Sequence, residues 1–223
     1  MGARHTMRNK EKDARQKNEK RAVFLEAGFQ LFAKYGIDAV SLQDVADATS
    51  YGIATLYRSF EKKPGFVVEV AAAKWDEMLR FDLAQSSNMD FTRTTAAEDL
   101  DYYLESFLEL YRNHQDILRF NQFFNIYVHS LNLDANAMRP YQDIIRELKD
   151  RFYAIYDKAL RDRTLRTDEP RDAMFSTATH LILAAVTRYA VGLIYEPEFF
   201  APMKELTMLK DMLMDKYQNR AFL

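Results

Sequence analysis

The sequence predicts an all-α protein, and three observations carry that prediction. Glycine is scarce: there are six in 223 residues, and from Phe66 onward only Gly192. A sheet protein of this size needs turn glycines at short intervals, so strands would have little to turn on. The five prolines, at 64, 140, 170, 197 and 202, are placed to open or precede helices, where a missing N–H costs little. Between these marks, apolar residues recur at the three- and four-residue steps of a helix.

The elements follow in order. Residues 1–18 are polar, lack an apolar stripe and are expected to form a basic flexible arm. A first helix carries Phe24, Ala27, Gly28, Leu31, Phe32 and Tyr35, and Gly36 reads as its left-handed stop. Ser41 can cap a second, short helix over Leu42 to Ala48, with Asp44 three residues on to answer the free N–H groups. After the turn Thr49-Ser-Tyr-Gly, a third helix spans Ile53 to Phe60. Longer helices are predicted over 64–85, 97–113, 115–132, 139–163, 170–194 and 203–219, with loops at 85–90 and 163–169. Two short helices joined by a tight turn bury little apolar surface alone, so the first helix and the segment after Lys63 must cover them. The chain therefore divides into an arm (1–18), a three-helix helix-turn-helix domain (19–65) and a larger all-helical domain (66–223).

Charge is unevenly spread. The net charge is -2, yet residues 1–63 hold twelve lysines and arginines against eight acids, while the remainder holds nineteen against twenty-five. A positive end suits contact with phosphates, and the second helix of such a motif fits a DNA major groove. A basic tail ahead of an ordinary acidic domain would give the same split.

Several function classes find no support. The chain has no cysteine, so disulfides and cysteine-based zinc sites are excluded. Its four histidines form no His-Glu-x-x-His pattern, and no glycine-rich phosphate loop or nucleophile turn is present. Acid pairs such as Glu98/Asp99 read as the charged start of a helix. The expectation is therefore a protein that is not an enzyme and needs no metal or cofactor. The first residues lack a signal-peptide pattern and no apolar run reaches a membrane span's length, which leads to an expected cytoplasmic location.

The run Phe24-Leu-Glu-Ala-Gly-Phe-Gln-Leu-Phe-Ala-Lys-Tyr-Gly, with Val40-Ser-Leu-Gln-Asp-Val-Ala after it, resembles the first two helices of the TetR family of transcriptional regulators. Thr55-Leu-Tyr-Arg-Ser-Phe-Glu-Lys-Lys resembles that family's Thr-Leu-Tyr-x-x-Phe-x-x-Lys signature, and the register from Ser41 to Lys63 needs no gap. The resemblance implies a DNA-binding repressor, released from a palindromic operator by a small-molecule effector. It assigns DNA contact to Ser41, Thr55, Tyr57 and Lys63, and core roles to Leu56 and Phe60; Ile53, Ala54 and Arg58 on the same helix are further candidates for DNA contact. The chain departs from the family in the turn, where Ser50 stands in place of the usual glycine. A serine at positive φ there would cost on the order of 1 kcal/mol. Ile53, Ala54 and Thr55 also replace more polar residues, so base reading is expected to lean on apolar contacts, with Arg58 and the arm supplying affinity.

In the larger domain, polar groups set among aromatic ones are the pocket markers: Asn121, Asn125, His129, Thr177 and His180, with Phe124 beside them. Each is more often a satisfied structural group or a surface residue. Thr177, Leu181, Ala184, Ala185 and Arg188 share one face of the penultimate helix, and Leu206, Leu209, Leu213 and Tyr217 form a stripe on the last. Together they suit a two-fold homodimer interface, which the resemblance also implies. The competing reading is a helical DNA-binding or partner-binding protein with no small-molecule effector.

Overall fold

A computed structural model describes residues 2–85, 90–131, 133–192 and 201–222. Its helices are α1 (Gly2–Tyr35), α2 (Leu42–Asp47), α3 (Ile53–Ser59), α4 (Lys63–Gln85), α5 (Ala96–Asn113), α6 (Gln115–Leu131), α7 (Ala135–Asp162), α8 (Arg171–Val191) and α9 (Pro202–Tyr217). A 3-10 turn follows at Arg220–Phe222. Among the described residues there is no strand, only one isolated bridge between Leu165 and Gln218.

The chain packs as two compact units, residues 1–74 with 123–141, and residues 75–122 with 142–223. This division differs from the expected one at residue 65. Contacts carry the first unit through Lys74 and add residues 123–141, which no sequence signal separated from the larger domain.

In the first unit, Phe24, Phe29 and Phe32 of α1 are buried together with Val45 of α2, Leu56 of α3 and Phe66 of α4. The rings of Phe32 and Phe60 both meet Phe66 edge-on, at 5.9 and 4.7 Å. Gly28 permits this approach: a Cβ there would lie 2.5 Å from the Phe66 ring. Gly36 ends α1 at φ +83°, its N–H donating to the Phe32 carbonyl at 2.9 Å, as a left-handed stop requires. At the other end α1 continues back to Gly2, through the segment expected to be a flexible arm, and residues 13–19 of it are exposed.

The second unit is built on helical periodicity. Leu100, Leu104, Phe107 and Leu108 of α5 are buried, as are Met174, Ala178, Ile182 and Val186 of α8. Leu206, Leu213 and Tyr217 of α9 complete that core. They are almost fully buried within the chain, so the stripe expected on the dimer surface is chiefly intramolecular packing. Thr95 and Glu98 form a reciprocal capping box at the start of α5. Two further N–H groups of α5's first turn are met from far along the chain. Ala96 donates to Asp162 at 2.7 Å, and Ala97 donates to the Thr164 hydroxyl at 3.0 Å.

The helix limits agree with the expected ones to within two residues for α4, α5 and α6 and for the start of α8. One proline departs from expectation. Pro140 lies inside α7, five residues after the helix opens at Ala135. The start is set instead by Asp134, whose carboxylate accepts from the Ala137 N–H at 2.9 Å. Pro64 and Pro202 do sit in first turns, and Pro170 precedes α8 directly. Residues 86–89 of the expected loop, Pro197 and the expected helix end at 194 fall outside the described residues.

Candidate functional site

The α2–α3 pair is assembled by local chemistry. Ser41 caps α2: its hydroxyl accepts from the Asp44 N–H at 3.1 Å, and the Asp44 carboxylate accepts from the Ser41 N–H at 2.7 Å. The Ser41 hydroxyl also donates to that carboxylate at 2.7 Å, and this bond and the one from the Ser41 amide hold the Asp44 carboxyl below its ordinary value. The turn needs no left-handed residue, because Arg163 is the only described non-glycine with positive φ. This corrects the strain expected at Ser50. Thr49 organises the turn instead: its hydroxyl donates to the Ala46 carbonyl at 2.9 Å and accepts from the Tyr51 N–H at 3.1 Å. Tyr51 folds back onto α1, its ring 5.7 Å from that of Phe24.

With Leu56 and Phe60 buried, α3 is pinned by one face and presents the other. Tyr57 is 53% exposed, Ala54 and Arg58 are exposed, and Ile53 and Thr55 are half-buried. Arg58 lies along its own helix, donating to the Ala54 carbonyl and the Thr55 hydroxyl, each at 3.1 Å. Lys63 is placed differently from a free phosphate grip. It is half-buried, with its ammonium 5.7 Å over the Tyr127 ring. Burial lowers its pKa, opposed by nearby Asp38 and Asp44.

One residue that sequence reasoning counted only among the basic residues of segment 1–63 serves to position α3. Arg21 donates to the Ser59 carbonyl at 2.7 Å, stacks 4.2 Å over Phe60 and pairs with Glu69. It thus ties α1 to the end of α3. Nothing in its local sequence distinguished it from its basic neighbours.

The second unit holds a partly open cavity of about 1100 Å³. Trp75, Met78, Leu79, Phe81, Phe107 and Leu110 form much of its apolar wall, and charged side chains of α5 and α7 complete it. None of the six expected ligand residues lines this cavity. Asn121 is buried and accepts the Trp75 indole N–H at 3.3 Å, a structural partnership. Phe124 is buried against Tyr141, their rings 4.7 Å apart. Asn125, His129 and His180 are exposed, and Thr177 is half-buried. The structure does not bring these six together. Groups of His, Asp or Glu able to hold a metal ion are absent among the described residues, and no described helix is long and apolar enough to cross a membrane.

A capped two-turn helix, a tight turn and a second helix with one buried and one open face define a helix-turn-helix DNA-binding protein. Residues 24–70 match the model of the bacterial regulatory proteins of the tetR family. A curated relative, the HTH-type transcriptional repressor KstR2 of Rhodococcus jostii, is 23% identical over 187 residues, covering 81% of this chain and 84% of its own. The ketosteroid transcriptional regulator KstR2 of Mycobacterium tuberculosis superposes with a TM-score of 0.62 at 15% identity, over 90% of this chain and 95% of its own. The fatty acid degradation regulator FadR of Bacillus halodurans superposes with a TM-score of 0.65 at 13% identity, over 87% and 94%. The two superpositions establish the fold. The match over residues 24–70 marks that segment as a tetR-type DNA-binding region, and over most of its length the chain is similar to a DNA-binding transcriptional repressor.

Proposed function

We propose that this regulator represses by binding a near-palindromic operator as a homodimer and lets go when a small molecule fills the cavity of the second unit. The observation that carries the reading is the open face of α3, where Ala54, Tyr57 and Arg58 stand in solvent while Leu56 and Phe60 hold the helix from behind. Ser41, Ile53, Thr55 and Lys63 complete the proposed DNA surface. The methyl groups of Ile53, Ala54 and Thr55 suit thymine, and Arg58 has only its own helix as partner, so it can turn to a phosphate at small cost.

The proposed dimer uses α8 and α9. Leu181 and Ala184 of α8 are exposed, and on α9 the apolar residues left open are Met208 and Met212, at 58% and 61%. A two-fold dimer formed by burying such a face against its copy would carry two reading heads, one per protomer. The relatives' own descriptions name ketosteroid and fatty-acid regulation, which favours an apolar effector here. Helix α4, unbroken from Lys63 to Gln85, is the proposed lever. Effector and operator then oppose each other through linkage, by about 1–3 kcal/mol.

Footprinting and fluorescence anisotropy on the DNA flanking the protein's own coding region test the reading. It expects a two-fold symmetric footprint bound at about 10 nM or tighter near physiological salt. Binding that ignores sequence at every such fragment would defeat it.

A further inference from the structure

All but one of the charged groups lining the cavity are already paired within the protein. Lys158 uses all three ammonium donors within the protein, on the Phe91 carbonyl at 2.8 Å, the Thr94 hydroxyl at 2.9 Å and Asp99 at 2.6 Å. Asp99 also accepts from Thr94 at 2.5 Å. Arg151 pairs with Asp82 at 3.1 Å and donates to the Leu79 carbonyl, and Asp82 accepts a further bond from the Tyr102 hydroxyl at 2.9 Å. Glu105 is held by Arg112 and Lys210, Glu109 by Arg112, and Asp162 by Thr164 and the Ala96 N–H. The one lining cation without an ion-pair partner among the described residues is Arg161, and it is exposed. A charged ligand head would therefore lose its hydration inside without gaining a free counter-charge.

Among the uncharged polar side chains of the lining, one makes no hydrogen bond to a described residue. His114 follows the end of α5, with its ring edge-on to Phe81 at 5.7 Å. Its ring nitrogens make no hydrogen bond to any described residue. An imidazole can both donate and accept, and so can meet a hydroxyl or a carbonyl.

We propose that the cavity selects a bulky, uncharged, largely apolar molecule whose single hydroxyl or carbonyl bonds to His114. This deepens the effector reading and rests on it only for the link to DNA. The ion pairs act as a closed polar wall that excludes charged analogues of the same skeleton, and His114 supplies the one polar recognition point.

Trp75 is the only tryptophan of the chain and lies in the cavity wall, so it reports occupancy directly. Pyrene accepts tryptophan emission, which makes a matched series available: 1-pyrenemethanol, 1-pyrenecarboxylate, 1-pyrenemethylammonium and 1-methylpyrene. Titrated into the full chain, the alcohol is expected to quench Trp75 at a concentration at least tenfold below either ion. In His114→Phe, which keeps the aromatic contact with Phe81, the alcohol should lose its advantage over 1-methylpyrene, and His114→Gln should retain part of it. Either ion binding as tightly as the alcohol overturns the proposal, as does an absence of quenching by every probe. An anion that binds best, and only while Arg161 is present, would put recognition at the rim instead. An alcohol advantage that survives in His114→Phe overturns the assignment of that residue. Anisotropy on operator DNA, run in parallel, separates the two readings. A probe that fills the cavity without moving DNA affinity defeats the effector role and leaves the ligand class standing.

Discussion

Gly28 and Gly65 offer a paired experiment in which one chemical change should have opposite signs. Both lie in helices, α1 and α4, and an alanine in place of glycine gains about 1 kcal/mol in a helix interior. At Gly65 an added methyl meets nothing within 4 Å. Because Gly65 sits in the first turn of α4, Gly65→Ala should stabilise by about 0.5 kcal/mol. At Gly28 the same methyl would lie 2.5 and 2.6 Å from two carbons of the Phe66 ring and 3.4 Å from Val70. That ring is fully buried and wedged between Phe32 and Phe60, so it has nowhere to retreat. Overpacking of this kind costs about 1–3 kcal/mol, which outweighs the propensity gain and leaves Gly28→Ala less stable by about 1 kcal/mol. Urea unfolding followed by far-ultraviolet circular dichroism should place the Gly28→Ala midpoint about 0.5 M below the parent. A Gly28→Ala variant as stable as the parent, or more so, would mean that α1 and α4 are not held together through Phe66 as described.

Four further outcomes are expected. Arg58→Ala should weaken operator binding and lower the slope of log affinity against log salt by about one, and an unchanged slope would remove Arg58 from the phosphate contacts. Ser41→Ala removes the α2 cap and should cost about 1 kcal/mol by chemical denaturation. The Glu26 carboxyl is pushed up by burial but held below 4.5 overall by hydrogen bonds from Lys74 and Gln30. Its stabilising contribution is therefore complete above pH 4.5 and lost as pH falls through the lower folded value, so Glu26→Gln should flatten that part of the acid limb in urea midpoints. Asn121→Ala strands the buried Trp75 N–H, which should cost about 1–3 kcal/mol and shift Trp75 emission.

The fold was largely legible because its punctuation is local. Gly36, Ser41, Asp44, Pro64 and Pro170 act within one turn of where they stand, so a linear reading finds them. Pro140 misled for the same reason: a proline reads as a helix start, while the true start depends on Asp134, which only the structure singles out. The open face of α3 was legible from the resemblance, which assigned Leu56 and Phe60 to the core and Tyr57 to DNA contact. The cavity was not. Its walls take Trp75 from α4, Phe107 from α5 and Ile155 from α7, and each is indistinguishable in sequence from a core residue. Asn121 looked like a pocket marker because its partner lies 46 residues away. On α9 the stripe of large residues marked the inside, and the exposed methionines were passed over.

The first turn of α5 bears on how the protein is made. Two of its amides are satisfied by Asp162 and Thr164, some 66 residues further along the chain. As the polypeptide leaves the ribosome, that turn has water for company until α7 has emerged and doubled back. A nascent chain stalled between Asn113 and Asp162 should therefore hold α5 by its capping box alone and fray there first. Limited proteolysis of stalled intermediates would see this as cleavage near Thr94 that vanishes once Asp162 and Thr164 have emerged.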